Sequence, residues 1–312
     1  MAQQDHTKRG ILEMTLAMLI SGTVGWFVMM AGQSPETTVF WRCAFGSSTL
    51  LLICFCLGLL RPGMLTLRLI CIAATGGVAL VLNWLFLFGA YSYSSIAVAT
   101  IVYHTQPFML VGIGALFFKE RISLTQLLWL TLAFTGVAAI AVGGQDGVES
   151  GSGSLLGIAL SLASAFFYAV AAAITKKLKV IPAPVIALIQ LGVGTLLLWP
   201  YAALDHGTPT TWGLLVTVGM VHTALMSILL YGAIQKVQTH LVGTLSFIYP
   251  LVAVLVDWLA LGHSLSVLQL GGAVLVLLAA AAMSFGWKFR AGKGALLVSK
   301  ISAQASSNSD KA

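Results

Sequence analysis

Long apolar stretches separated by short polar connections make up most of this chain. Each has roughly the 20 residues that an α-helix, rising about 1.5 Å per residue, needs to cross a bilayer core of about 30 Å. The ten stretches fall at 11–31, 36–60, 66–90, 94–118, 123–143, 154–175, 183–204, 210–234, 240–262 and 264–287. We predict an all-α membrane protein of ten transmembrane helices, in which the first stretch is a helix and not a cleaved signal peptide.

Composition and charge agree with this prediction. Hydrophobic residues make up 59% of the chain and charged residues only 8%, whereas soluble domains carry about 25% charged residues. With the N-terminus in the cytoplasm, every Lys and Arg except Arg42 falls on the cytoplasmic side. They are Lys8, Arg9, Arg61, Arg68, Lys119, Arg121, Lys176, Lys177, Lys179, Lys236, Lys288, Arg290, Lys293, Lys300 and Lys311. This bias predicts that both termini are cytoplasmic, and that the net charge of +7 reflects topology and not nucleic-acid binding.

The chain contains an internal repeat at an offset of 143 residues. The segment FGAYSYSSIAVATIVYHTQP, ending at Pro107, aligns with YGAIQKVQTHLVGTLSFIYP, ending at Pro250. Five helices per repeat is an odd number, so the two halves are predicted to lie inverted in the membrane, as in many secondary transporters. The predicted divisions are a first repeat at 10–143, a connecting loop at 144–153, a second repeat at 154–287 and a cytoplasmic tail at 288–312.

The motifs of the repeat resemble those of the EamA-type branch of the drug/metabolite transporter superfamily. They are a Gly-Ala pair, a stretch of small residues, a proline within the fourth helix, and a Glu before a Ser-x-x-Gln start of the fifth. The resemblance covers about 10–287 and implies ten helices and export of small metabolites from the cytoplasm. It is greatest to bacterial inner-membrane exporters of aromatic and other neutral amino acids. The usual Gly-Glu of the family is Lys119-Glu120 here, and Gly262-His263 in the second half.

Two histidines are predicted near the middle of the bilayer. His104 lies about 15 Å from the outer end of the fourth helix, and His222 lies at a matching depth in the eighth. With Asn83 and Tyr103 they are predicted to form a polar cluster around a midplane substrate cavity, because ionisable groups inside a membrane usually face a cavity or a partner. The alternative is that each ring is neutral and bonded to a helix backbone.

The repeated prolines and several aromatic residues complete the predicted binding region. Pro107 and Pro250 lack an N–H, so the carbonyls of Tyr103 and Ser246, about one turn earlier, are predicted to be free to bind an ammonium group, unless the prolines only kink their helices. The aromatic residues expected in the cavity include Trp26, Tyr103 and Tyr168.

Two further charges lie within predicted helices. Arg42 and Asp257 are each about six residues, or roughly 9 Å, below the outer surface. They are predicted to pair as part of an outer gate, or Arg42 receives a substrate carboxylate; the alternative is an isolated Arg42 whose head reaches the interface.

The chemistry absent from the sequence narrows the function. We find no nucleophile–base pair, His-Glu-x-x-His motif or phosphate loop, so the sequence predicts no catalytic residue, metal or cofactor. The expected partners are amino acids and the lipid bilayer. A nucleotide-sugar or sugar-phosphate exchanger remains open, although Arg42 is the only deep cation for a phosphate, and a channel or an intramembrane enzyme is less well supported. Small-residue spacings are compatible with a monomer and with a dimer.

Overall fold

A computed structural model describes residues 2–61, 63–94, 96–143, 155–203, 207–261 and 266–287. Within these ranges the chain is helical, with turns between helices and no strand. The α-helices are α1 Ala2–Ala31, α2 Pro35–Cys56, α3 Leu67–Tyr91, α4 Ile96–Tyr103, α5 Gln106–Phe118, α6 Leu124–Gly143, α7 Leu155–Lys177, α8 Ala183–Leu197, α9 Pro209–Gly219, α10 Met226–Lys236, α11 Thr239–Ser246, α12 Ile248–Leu261 and α13 Val267–Ser284. The prediction of an all-α fold is confirmed. The predicted connecting loop, the tail, His263 and the side chain of Asp257 lie outside the described residues.

Nine helical segments of the described chain are long and apolar enough to cross a membrane, and the tenth apolar helix, Ala183–Leu197, is shorter. The stretch predicted at 183–204 is therefore not one continuous span. It ends in a 3₁₀ turn at Trp199–Tyr201, because Pro200 has no N–H to continue the helical hydrogen bonds. The first helix, in contrast, begins well before the apolar stretch at 11–31.

Three of the spans that the structure describes are interrupted. Between α4 and α5, the N–H of Thr105 bonds the carbonyl of Val102 at 3.1 Å, and between α11 and α12 the N–H of Phe247 bonds that of Thr244 at 3.3 Å. These tightened turns precede Pro107 and Pro250, which cannot donate to the preceding turn. The third interruption is a π-helical segment, Met220–Leu225, between α9 and α10.

Close backbone contacts hold the helices together. α3 packs on α7, α1 on α10, α2 on α8 and α6 on α13. At the α6–α13 contact, a Cβ added to Gly136 would lie 2.7 Å from the carbonyl oxygen of Gly272. Such approach between helices requires residues without side chains, as is common in membrane bundles. The bundle thereby surrounds a small internal space between α2, α3, α7 and α10.

Candidate substrate cavity

The internal space is a cavity of about 80 Å³. Its walls come from α2, α3, α4, α7, the π-helical segment and α10, so both predicted halves contribute. The lining residues are Arg42, Leu80, Asn83, Trp84, Tyr103, Tyr168, Ala171, Ala172, Thr223, Met226, Ser227, Leu230, Tyr231 and Ile234. Among the described residues of the lining, one side chain is basic and none is acidic.

Arg42 is the charged group of this cavity and is only 8% exposed. Its Nε donates to the hydroxyl of Thr223 at 3.3 Å, and its guanidinium carbon lies 4.3 Å from the centre of the Trp84 ring. Thr223 in turn donates to the carbonyl of Val218 at 2.9 Å, within the helical backbone at the π-helical segment. Among the described side chains, Arg42 forms no ion pair with a carboxylate.

The predicted Arg42–Asp257 pair stays a prediction, since the Asp257 side chain lies outside the described part of the chain. The helices of the two residues have different neighbours: α2 packs on α8 and α9, and α12 on α1. The Arg42 side chain extends toward α3 and the π-helical segment.

Asn83 supplies a fully buried amide to the same cavity. Its Nδ2 donates to the carbonyl of Ser164 at 3.0 Å and to the Ser164 hydroxyl at 2.9 Å, and that hydroxyl donates to the Asn83 carbonyl at 2.8 Å. The Tyr103 hydroxyl is 3.5 Å from Nδ2. In the described structure Asn83 Oδ1 is buried without a hydrogen-bond partner. Buried acceptors are nearly always satisfied, so this oxygen is a candidate to accept a bond from a ligand.

Tyrosines form the remaining polar wall. Tyr168 lines the cavity, with its ring centre 6.4 Å from that of Tyr103. Tyr231, on α10, donates its hydroxyl to Oε1 of Gln190. Since Gln190 is fully buried on α8, this bond fixes the direction of the Tyr231 ring and leaves an aromatic surface toward the cavity.

The two histidines lie outside the set of lining residues. His104 donates from Nδ1 to the carbonyl of Thr100 at 2.7 Å, and its ring stacks on those of Phe247 and Tyr249, with centres 6.0 and 6.2 Å away. Its environment matches the alternative of a neutral ring bonded to its own helix.

His222 packs against α1. Its Nε2 lies 2.8 Å from the Thr23 hydroxyl, and its ring centre is 4.6 Å from that of Phe27. Trp26 also packs edge-on against Phe27, with centres 4.9 Å apart, and does not line the cavity.

The prolines do not line the cavity either. Pro107 is buried where the two interrupted spans cross, and a Cβ added to Gly243 of α11 would lie 3.1 Å from its ring. Pro250 occupies the corresponding position in α12. Both residues are thus placed to shape the helix interruptions.

Several lining residues were not predicted. Trp84 follows Asn83 directly, and Thr223, Ser227 and Tyr231 follow one another at intervals of four residues. Side chains at this spacing lie on one helix face. This polar face, which runs from the π-helical segment into α10, was the sequence pattern that indicates this wall of the cavity.

A second group of polar contacts lies at the lysine-rich end of the bundle. Glu120, in the connection after α5, pairs with Lys176 of α7 at 2.7 Å and accepts from the backbone N–H of Thr239 in α11 at 2.9 Å. Burial alone raises the pKa of the Glu120 carboxyl, but the bonds from Lys176 and Thr239 outweigh it and hold the pKa below its ordinary value. Glu13 of α1 pairs with Lys236 of α10. These contacts join elements of both predicted halves.

The described residues contain no group of three His, Cys, Asp or Glu side chains that is suited to hold a metal ion. The fold is a helical bundle with helices long enough to span a membrane, and the cavity is a small polar site at its centre. This arrangement is typical of small-molecule transporters.

This chain belongs to the EamA-like transporter family, whose family model matches residues 8–142 and again 155–285. The uncharacterized transporter YxxF of Bacillus subtilis is 25% identical over 85% of this chain and 86% of its own length. Probable amino-acid metabolite efflux pumps of Salmonella typhimurium and Escherichia coli are 27% and 28% identical, each over 66% of this chain and 73% of its own length. A solved crystal structure shares the fold, with a TM-score of 0.76 at 17% identity over 88% of this chain and 96% of that chain.

Proposed function

We propose that this transporter exports amino acids, aromatic and other neutral ones, across the bacterial inner membrane by alternating access around the central cavity. The observation that carries the proposal is the buried guanidinium of Arg42 in a cavity with no acid among its described lining residues. An ion taken out of water costs several kcal/mol unless a partner compensates it. A substrate carboxylate supplies that partner with paired hydrogen bonds that suit the planar guanidinium.

The rest of the cavity fits the other groups of an amino acid. The buried Oδ1 of Asn83 offers an acceptor to the substrate ammonium group. Trp84, Tyr168 and Tyr231 offer aromatic surfaces to its side chain. No lining residue in the described part of the chain bears a negative charge, which favours neutral amino acids over cationic ones, because a second positive charge would face Arg42 without compensation.

The volume of the cavity supports a mechanism in which the bundle changes shape. A space of about 80 Å³ holds roughly three water molecules, less than an aromatic amino acid needs. Entry of substrate therefore requires movement of the walls. We assign the bending to the interruptions before Pro107 and Pro250, where the helical hydrogen bonds are already broken.

Helix packing supports two inverted halves. The α3–α7 and α1–α10 contacts exchange when residues 143 apart are matched, and α6 packs on its own counterpart α13. The bias of Lys and Arg supports cytoplasmic termini. The two relatives named as probable amino-acid metabolite efflux pumps support the substrate class and the direction of transport.

Counterflow in proteoliposomes tests the proposal. Vesicles loaded with unlabelled phenylalanine, threonine, lysine or a sugar phosphate receive the labelled partner outside, and phenylethylamine, which lacks the carboxylate, serves as a matched competitor. We expect saturable exchange of phenylalanine and threonine that phenylethylamine does not inhibit. Exchange of the sugar phosphate alone would assign the chain to the sugar-phosphate class, and flux that neither saturates nor shows counterflow would indicate a channel.

A further inference from the structure

A groove much larger than the central cavity opens at the lysine-rich end. It has a volume of about 1090 Å³, lies between α5, α7, α10 and the start of α11, and has no lining residue in common with the central cavity. Its inner wall is apolar and includes Ile113, Phe117, Val170 and Ile174. Phe117 is 76% exposed on this wall, as expected for a side chain that faces lipid.

The rim of the groove carries four lysines and one acid. Glu120 holds Lys176, which also donates to the carbonyl of Val237 at 2.8 Å, and Lys236 is paired with Glu13. Lys177 and Lys179 are exposed and form no ion pair with any described side chain. A net positive rim therefore remains after the internal ion pairs are formed.

We propose that this groove binds an anionic phospholipid of the cytoplasmic leaflet. The phosphate lies at Lys177 and Lys179, and an acyl chain lies along the apolar wall. The dimensions agree: Val170 is seven residues from Lys177 on α7, so it lies roughly 10 Å deeper in the membrane. A lipid places its headgroup and its chain at these two levels.

The combination of charge and apolar surface selects this occupant. A soluble anion would compensate the lysines but leave the apolar wall uncovered, whereas a neutral phospholipid would cover the wall but leave the lysines without a counter-charge. Basic pockets between transmembrane helices on the cytoplasmic side recognise anionic headgroups for this reason. Because α5 and α7 belong to different predicted halves, a bound lipid spans the joint between them and influences their relative movement.

Native mass spectrometry of the full chain tests the proposal. We would titrate phosphatidylglycerol or phosphatidylcholine into the detergent-solubilised protein and measure the affinity of the tightest-bound lipid. Phosphatidylglycerol is expected to bind more tightly, and the K177Q/K179Q variant to lose about fivefold in affinity per lysine, or ~25-fold for both. The matched control is R61Q/R68Q, which removes two exposed charges from the same predicted face outside the groove and is expected to change the affinity less than twofold.

A second variant tests the apolar wall. Ala173→Leu adds side-chain volume inside the groove and is expected to weaken the binding of phosphatidylglycerol while all four lysines remain. An equal loss of phosphatidylglycerol affinity in K177Q/K179Q and R61Q/R68Q would show that the effect comes from general surface charge and would overturn the proposal. Displacement of the lipid by millimolar inorganic phosphate or phenylalanine would overturn it in favour of a soluble anion.

Discussion

Arg42 in the central cavity and Lys176 in the groove wall are both largely buried cations, but their surroundings differ. Lys176 has the carboxylate of Glu120 at 2.7 Å and the carbonyl of Val237 at 2.8 Å. Arg42 has a threonine hydroxyl, the face of Trp84 and no carboxylate among the described side chains. A cation with a permanent acid partner joins helices, whereas a cation without one is open to a ligand. On the proposed function, this difference separates a charge that stabilises the fold, Lys176, from a charge that binds substrate, Arg42.

The largest expected effect comes from Arg42→Gln. The variant removes the guanidinium that is proposed to bind the substrate carboxylate. This loss is expected to lower kcat/KM for phenylalanine counterflow by about 100-fold, or roughly 3 kcal/mol, as for other buried charge pairs. The melting temperature of the substrate-free protein is not expected to fall, because the variant removes a buried charge that has no described acid partner. Arg42→Lys keeps the charge but not the planar fork, so an intermediate loss is expected. Transport by Arg42→Gln at the wild-type rate would show that Arg42 does not bind the substrate carboxylate.

Asn83→Leu tests whether the unpaired Asn83 oxygen accepts a hydrogen bond from the ammonium group of the substrate. We expect about a tenfold lower kcat/KM for phenylalanine, since a lost hydrogen bond to a charged group is worth ~1.5 kcal/mol. Competition by phenylpropanoate, which has the carboxylate but no amino group, is expected to be unchanged. A similar loss for both compounds would mean that the variant only disturbs packing. Ser164→Ala, which removes a partner of Nδ2 but leaves Oδ1 in place, is the control.

Lys176→Gln tests the structural charge. Breaking this partly buried pair is expected to lower the free energy of unfolding by about 1–3 kcal/mol, measured as a lower melting temperature. The exposed neighbour Lys177 supplies the control, Lys177→Gln, for which no measurable change is expected. A Lys176 variant as stable as wild type would show that the ion pair holds nothing together.

The pH dependence of this stabilisation has a defined sign. The Glu120 pKa is lowered in the folded protein, so its contribution is complete at neutral pH and is lost as the pH falls through that lowered value. In Lys176→Gln a main cause of the lowering is gone. Its stability is therefore expected to fall less than that of wild type as the pH is lowered, as followed by melting curves between pH 3 and pH 7, a range of ~4 units around an ordinary Glu pKa.

The smallest effect is expected from His104→Phe. The substitution keeps a ring on Phe247 and Tyr249 and loses only a bond to the backbone of its own helix. Counterflow is expected to remain within about fivefold of wild type, since one neutral hydrogen bond contributes about 1 kcal/mol or less. A loss of tenfold or more would assign the imidazole a direct part in transport.

The sequence was informative about how deep a residue lies in the membrane, and much less informative about the direction in which its side chain points from the helix. Counting residues from the helix ends placed Asn83 and Tyr103 in one polar cluster, and both residues line the cavity of the structure. The same count selected His222, but its neighbour Thr223 faces the cavity instead. Successive residues on a helix differ by about 100° in direction, and the π-helical segment changes that direction locally. An axial position alone cannot resolve this difference.

Ion pairs between residues far apart in the chain could not be predicted from the sequence either. Glu120, in the connection after α5, and Lys176, in α7, are 56 positions apart, and Glu13 and Lys236 are 223 apart. No local spacing predicts such pairs, because they depend on how the helices pack. The short helix at 183–197 was missed for a different reason: the apolar run continues through Pro200, so hydropathy alone extended the span.

The small size of the central cavity has a consequence for cellular energy. Bacteria store energy as ion gradients across the inner membrane, and a continuous column of water through a carrier would dissipate them. A space for roughly three waters, walled in part by Leu80, Leu230 and Ile234, is too small to be a section of an open aqueous pore. In this conformation the central cavity is therefore expected to hold no continuous column of water, so that a carrier at the proposed inner-membrane location would not drain the proton gradient through this space.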